Sequence, residues 1–198
     1  SRQGEAAAFS NLAGGYSALG RHEKAIESYE LSLAICREVK DRKGEGVVLS
    51  LLGSSFNELG RYQKAIEYLD QALAIDREVK ARSGEGSALA NLARAYYGLR
   101  RLEKAIEYYE QSLAISREVK NLQGEGSTLH RLAELERDRG NLDRARILIE
   151  DRLRIAESMR SDLVSPESRA SLLASVQNAY EFYTDLLMRQ HKAEPKIG

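Results

Sequence analysis

The chain of 198 residues contains no tryptophan, three phenylalanines, two prolines and a single cysteine. One cysteine, Cys36, cannot close an intrachain disulfide, so no disulfide framework can hold this fold and a reducing compartment is expected. No run approaches the ~18 apolar residues of a spanning helix, and no secretory signal pattern is visible. Charge of one sign is also missing: 30 basic and 30 acidic residues cancel. Without a net field, neither nucleic acid nor an anionic membrane is an expected partner. Catalytic spacing is absent as well. His22, His130 and His191 are far apart, Cys36 has no histidine near it, and the glycines are single rather than gathered into a phosphate-cradling loop. These absences predict no enzyme activity, no metal and no cofactor. Cys36 itself occupies a position that elsewhere holds Asp76 and Ser116, and is therefore expected to be exposed.

What the chain does have is repetition. Gly4-Glu5 returns as Gly44-Glu45, Gly84-Glu85 and Gly124-Glu125, a spacing of 40 residues. Leu12, Leu52, Leu92 and Leu132 share one slot; Ala25, Ala65, Ala105 and Ala145 share another. A period of this length marks a solenoid, whose units bury their apolar faces against their neighbours. Four repeats are expected (1–40, 41–80, 81–120 and 121–160), followed by a linker and capping helix over 161–198. Because Ser1-Arg2-Gln3-Gly4-Glu5 aligns with an internal junction, the chain is expected to be part of a larger protein.

Each repeat reads as two helices. Leu49, Leu52, Phe56 and Leu59 fall at helical spacing, with Gly53 among them where two helices should approach closely. Gly20, Gly60 and Gly140 follow the first helices, where a left-handed residue ends a helix, and Arg100 stands at the same slot with some strain expected. The second helix is expected from about Tyr62 to Lys80, with Glu38–Arg42 and Glu78–Arg82 as i,i+4 ion pairs. The first helices are expected to bury Leu12, Tyr16 and Leu19 against their partners.

The pattern Leu52-Gly53-x-x-Phe56, then Gly60, Ala65, Leu69 and Ala72, resembles the tetratricopeptide repeat (TPR). The first and third repeats fit it with Leu12-Ala13-x-x-Tyr16 and Leu92-Ala93-x-x-Tyr96. The usual TPR period is 34 residues. The longer period resembles the subclass that includes kinesin light chains, and Arg37, Arg77 and Arg117 replace the usual proline. The resemblance implies an all-α, right-handed superhelix and a protein or peptide partner in its concave groove. It also argues against a chaperone-tail clamp, because Ala7, Ser10 and Gly14 stand in the early groove slots.

The stripe beside the buried one supplies candidate groove residues: Asn11 in the first repeat; Ser50, Ser54 and Asn57 in the second; Asn91, Arg94 and Tyr97 in the third; His130, Arg131, Glu134 and Arg137 in the fourth. An amide can pair with both groups of a peptide backbone. The arginines suit carboxylates, and Tyr97 suits an amphipathic anchor.

The fourth repeat departs from its siblings. Glu136 takes the aromatic slot and Arg146 the slot of Ile26, Ile66 and Ile106. Beyond it, Ser165-Pro166 signals a helix start. Leu172, Leu173, Val176, Ala179, Tyr180, Tyr183, Leu186 and Leu187 form an apolar stripe, and its far half, residues 176–190, is expected to be open for homodimer formation. The segment from Ser171 to Met188 resembles bacterial proteins in which a TPR array precedes a caspase-like CHAT domain. That resemblance implies a bacterial origin and, as an alternative, a regulatory arm for a fused peptidase, while the lone Cys36 leads to the expectation of a cytoplasmic location. A self-association or spacer module with an idle groove is the other alternative.

Overall fold

The computed structural model describes residues 1–160 and 166–193, apart from the side chains of 160, 166–172, 175, 192 and 193. The Ser165 cap and the Leu172 side chain therefore lie outside the described residues. Among the described residues all regular structure is α-helical: α1 (Arg2–Ala18), α2 (His22–Glu38), α3 (Arg42–Glu58), α4 (Tyr62–Glu78), α5 (Arg82–Gly98), α6 (Leu102–Glu118), α7 (Leu122–Asp138), α8 (Leu142–Arg160) and α9 (Pro166–Ala193). This is an all-α fold of successive helix pairs. Two compact bodies are formed, Ser1–Ile115 and Ser116–Gly198.

The helix ends follow from local chemistry. Asp41 and Asn121 each accept a hydrogen bond from the backbone N–H of the residue three positions on, Gly44 and Gly124, at 2.9 Å. Ser1 does the same for Gly4 at 3.2 Å. Gly20 and Gly60 turn the chain at φ 69°, and the backbone N–H of Arg61 closes back on the Phe56 carbonyl at 2.9 Å. Arg100 adopts the same left-handed turn at φ 59°, as do Lys40, Lys80 and Lys120 after the second helices.

In the N-terminal body α1 packs on α2 and α3 on α4, and α3 and α5 each pack on the second helix before them, α2 and α4. Leu49, Leu52, Leu69, Leu89 and Leu92 are fully buried, each worth about 1.5–3 kcal/mol in apolar burial. Gly53 does mark a close approach: a Cβ there would meet Leu69 at 2.4 Å. Phe56 stacks on Tyr68 and Tyr96 on Tyr108, both at 5.3 Å, with Lys64 and Lys104 over the rings.

Three sequence expectations are corrected here. The ion pairs Glu38–Arg42 and Glu78–Arg82 are not the ones formed, because α2 and α4 end at Glu38 and Glu78 and the following left-handed lysine redirects the chain. Arg42 instead bonds Glu78 at 2.5 Å and Glu45 at 2.7 Å, and Arg2 bonds Glu38 and Glu5. Cys36 is buried, as are Asp76 and Ser116; the slot faces the start of the next first helix, where Cys36 Sγ would lie 3.2 Å from a Cβ on Gly44. Leu12 and Leu19 are exposed rather than buried, because they lie on the flank that a preceding second helix covers in the internal repeats.

In the C-terminal body α9 packs on α8. Ala179, Phe182 and Leu186 join Ala133, Ala145, Ile149 and Leu153 in one apolar cluster, with Val176 and Tyr183 at its edge. The Tyr183 hydroxyl donates to Glu150 at 2.8 Å. The far half of the 176–190 stripe is thus partly covered. The residues left exposed are Leu173, Tyr180, Leu187 and Met188, on a different face of the helix.

Candidate functional site

In the N-terminal body the candidate residues sit along the sides of α1, α3 and α5. Asn11 is exposed; Ser50, Ser54, Asn91, Arg94 and Tyr97 are half-buried. Asn57 departs from the expected stripe. It is buried, and its side-chain amide donates to the Asn91 carbonyl at 2.9 Å, tying α3 to α5. Its Oδ1 is buried without a protein partner. Asn57 therefore spaces the helices rather than facing a groove.

Between α1 and α3 lies a cleft of about 350 Å³, lined by Ala6, Ala7, Ser10, Val47 and Val48 with Cys36 beneath, and with Gln3, Ser32 and the charged Asp41 and Lys43 also on its wall. Half of the Val47 side chain is open to it. Small side chains at slots 7 and 10 make room for this cleft, and burial pushes the Cys36 thiol up from its ordinary pKa, with Asp41 adding to the effect. The thiol is held neutral, so it lines the cleft as an apolar group.

At the α3–α5 end the chemistry is ionic. The Arg94 guanidinium donates two bonds to Glu58, at 2.6 and 3.0 Å. Those bonds raise its pKa further, against the opposing effect of burial. Nearby, Gly98 lets the Tyr62 ring approach to where any Cβ would collide, at 2.3 Å. The arginine expected to receive a ligand carboxylate already holds one from the neighbouring repeat.

The C-terminal body shows the same self-pairing. Arg131 bonds Glu134 at 2.8 Å and Arg137 bonds Asp138 at 3.0 Å. His130 lies 3.7 Å from Glu134; burial lowers its pKa, with Glu134 opposing. Both His130 and Arg137 are engaged by Phe182 of α9. The imidazole meets that ring edge-on at 5.6 Å, and the guanidinium stands over it at 4.9 Å. Nothing in the residue pattern announced that Phe182 would return to α7, since an apolar stripe does not name the surface it covers.

Glu136 is almost fully buried. Asn141 donates to its Oε2 at 2.7 Å and Arg144 Nε lies 3.2 Å from its Oε1. Arg144 stands in the slot of Lys24, Lys64 and Lys104, so a lysine-over-aromatic contact has become an arginine–carboxylate pair. Among the described residues, no group of three or more His, Cys, Asp or Glu side chains could hold a metal, and no helix is long and apolar enough to cross a membrane.

A family profile described as tetratricopeptide repeat matches residues 4–78 and 85–158. Among solved structures, the chain is similar to BtubC from P. vanneervenii, with 22% identity and a TM-score of 0.70, over 96% of this chain and 82% of that one. It is also similar to the TPR domain of Arabidopsis FLU, at 27% identity and a TM-score of 0.55, over 58% of this chain and 96% of that one. A Rap protein complexed with Competence and Sporulation Factor gives a TM-score of 0.77 at 14% identity, over 97% of this chain and 58% of that one. At the identities of BtubC and the Rap protein the likeness concerns the fold alone. No curated protein matches the chain.

Proposed function

The chain belongs to the tetratricopeptide-repeat family, and from that premise we propose that it is a protein-interaction scaffold that takes an extended peptide along α1, α3 and α5. The observation that carries this reading is the open apolar cleft between α1 and α3, about 350 Å³ with Val47 exposed at its wall. Beyond the cleft, Asn11 on α1, Ser50 and Ser54 on α3, and Asn91 and Tyr97 on α5 offer polar side chains that are exposed or half-buried. A cleft of that size accommodates one or two aliphatic side chains of a ligand, and exposed amides pair with its backbone. A Rap protein similar in fold is solved in complex with Competence and Sporulation Factor, which supports a bound partner here.

Because Arg94 is held by Glu58, an acidic ligand group would have to displace that carboxylate. Selection from a random-peptide display library, followed by affinity measurement, tests the reading. Binders should lose about tenfold or more with Val47→Asp, the equivalent of ~1.4 kcal/mol. Glu58→Gln should strengthen acidic binders by freeing Arg94. Peptides that bind wild type, Val47→Asp and an Asn11→Ala/Asn91→Ala variant alike would sink the groove reading.

A second reading, self-association through α9, rests on the exposed Leu173, Tyr180 and Leu187, which recur at heptad spacing, with Met188 beside them. Light scattering decides it: a dimer that becomes a monomer with Leu187→Asp supports it, and a monomeric wild type removes it.

A further inference from the structure

The N-terminal body carries a second cavity, set between two successive second helices. A groove of about 420 Å³ lies between α2 and α4, and it shares no lining residue with the α1–α3 cleft. Leu33 and Ala34 of α2 give it an aliphatic wall, and Tyr68 of α4 gives it an aromatic one. Phe56 holds the Tyr68 ring in place, stacked on it at 5.3 Å with 8° between the planes.

Three charged side chains also line the groove, and they are not equally available. The Arg37 guanidinium is engaged twice, by Glu45 at 2.8 Å and by Gln71 at 3.2 Å, as Arg77 is engaged by Glu85 at 2.9 Å. Among the described residues, no hydrogen bond or ion pair engages the carboxylate of Glu30 or of Glu67. Gln71 leaves Glu67 in that state because its amide is committed elsewhere. Its Nε2 donates to the Glu67 backbone carbonyl at 2.9 Å, and its Oε1 accepts from Arg37. Both acids act on the aromatic wall. Burial raises the Tyr68 hydroxyl above its ordinary pKa, with Glu30 and Glu67 adding to the effect and Arg37 opposing it.

One repeat on, the same slots hold Asp70, Arg77, Glu107, Tyr108 and Gln111. There the chain answers its own acids. Gln111 Nε2 donates to the Glu107 carboxylate at 3.4 Å, and Lys104 draws down the Asp70 carboxyl that burial raises. In the α2–α4 groove the acids remain unanswered.

We propose that the α2–α4 groove receives a lysine or arginine side chain from a basic segment of a partner protein. The alkyl stem lies along Leu33, Ala34 and the Tyr68 ring, and the cationic head meets Glu30 and Glu67. An anionic or neutral head would leave both carboxylates unpaired, and Arg37 could serve it only by giving up Glu45. Glu30, Ala34, Glu67 and Gln71 are all exposed, so a polypeptide can run past the groove while one side chain enters it. The groove stands apart from the peptide-binding reading, since the two sites have no residue in common.

The test is an NMR titration of the backbone amides of the full 198-residue chain with an acetylated, amidated Ser-Lys-Ser-Lys-Ser peptide. Saturable shifts are expected at the amides of residues 30–37 and 67–71. Glu30→Gln combined with Glu67→Gln keeps the shape of both side chains and should weaken binding about tenfold or more. Unmoved signals elsewhere in that variant show that its fold is intact. The same peptide with norleucine in place of lysine should leave the groove amides unshifted. Four results would overturn the proposal: no saturable shift at millimolar peptide, equal binding by wild type and the double variant, equal shifts with the norleucine peptide, or saturation by spermidine but not by the peptide. The last would assign the groove to a free polyamine.

Discussion

At the level of single residues, the fourth repeat shows how an apolar slot can turn ionic without losing its partner. Tyr16, Phe56 and Tyr96 each lie beneath a lysine, and Glu136 lies beside Arg144 at the same two positions. The two ends of this pair differ in burial: Glu136 is 1% exposed, whereas Arg144 keeps about half of its side chain in water. Removing the arginine therefore leaves a buried carboxylate supported by Asn141 and by Arg139 at 3.9 Å. Removing the carboxylate leaves only a solvated arginine. Arg144→Ala should cost about 2–3 kcal/mol, near the lower end for breaking a buried pair. Glu136→Tyr with Arg144→Lys, the arrangement of the third repeat, should be neutral or stabilising. Chemical denaturation of the three proteins checks the order; equal losses from Arg144→Ala and Glu136→Tyr/Arg144→Lys would contradict it.

At the level of the element, the turns after the second helices carry removable strain. Lys40, Lys80 and Lys120 sit at φ 57°, 56° and 56°, a region that costs an L-residue with a Cβ about 1–2 kcal/mol. Glycine there avoids that cost but gives back about 0.4–1 kcal/mol through the unfolded chain. Each Lys→Gly change should therefore gain about 0.5–1 kcal/mol, and the triple variant should raise Tm by about 3–10 °C, since distant sites add. A lower Tm on calorimetry would contradict this. Such turns also show what was legible in the sequence. Helix starts at Arg2, Arg42, Arg82 and Leu122 recur with the sequence period, and the glycines after α1 and α3 announced their ends. The lysines did not, because nothing about a lysine marks a left-handed turn until the chain around it is folded. The candidate site was legible to the same degree. Periodicity put Asn11, Ser50, Ser54, Asn91, Arg94 and Tyr97 on one side of their helices. It could not separate a groove-facing slot from one turned toward the next helix, which is where Asn57 lies. Nor could it foresee that Arg94 would be held by Glu58, which comes from another repeat, since sequence spacing carries no side-chain direction between helices; Arg131 and Arg137, by contrast, find Glu134 and Asp138 within their own helix, at spacings visible in the sequence.

For the whole molecule, the same junctions that stack the repeats make stability depend on pH in two opposed ways. Burial alone would raise the carboxyls of Glu45 and Glu85, but two arginines on each hold them below the ordinary value of 4.5. Their contribution is therefore complete above pH 4.5 and is lost as pH falls through the lower folded value. Asp76 behaves in the opposite sense. Burial, with Glu85 adding to it, raises its carboxyl above 3.8, so the folded state holds that proton more tightly than the unfolded one. Stability from Asp76 is fully present below pH 3.8 and declines as pH rises through its folded value. On acidification protonation of Asp76 therefore adds stability, while protonation of Glu45 and Glu85 removes it by releasing their arginines. Tm should fall below pH 4.5 as those two carboxyls lose their charge, with Asp76 opposing the fall. Asp76→Ser, which copies Ser116 in the equivalent slot, should be more stable than wild type at pH 7, and its advantage should shrink as pH falls. It should leave the acid collapse in place, whereas Arg37→Ala with Arg77→Ala should move that collapse to higher pH. Calorimetric scans of the three proteins from pH 3 to 8 decide between these assignments: an Asp76→Ser advantage that does not change with pH would remove Asp76 as the opposing group.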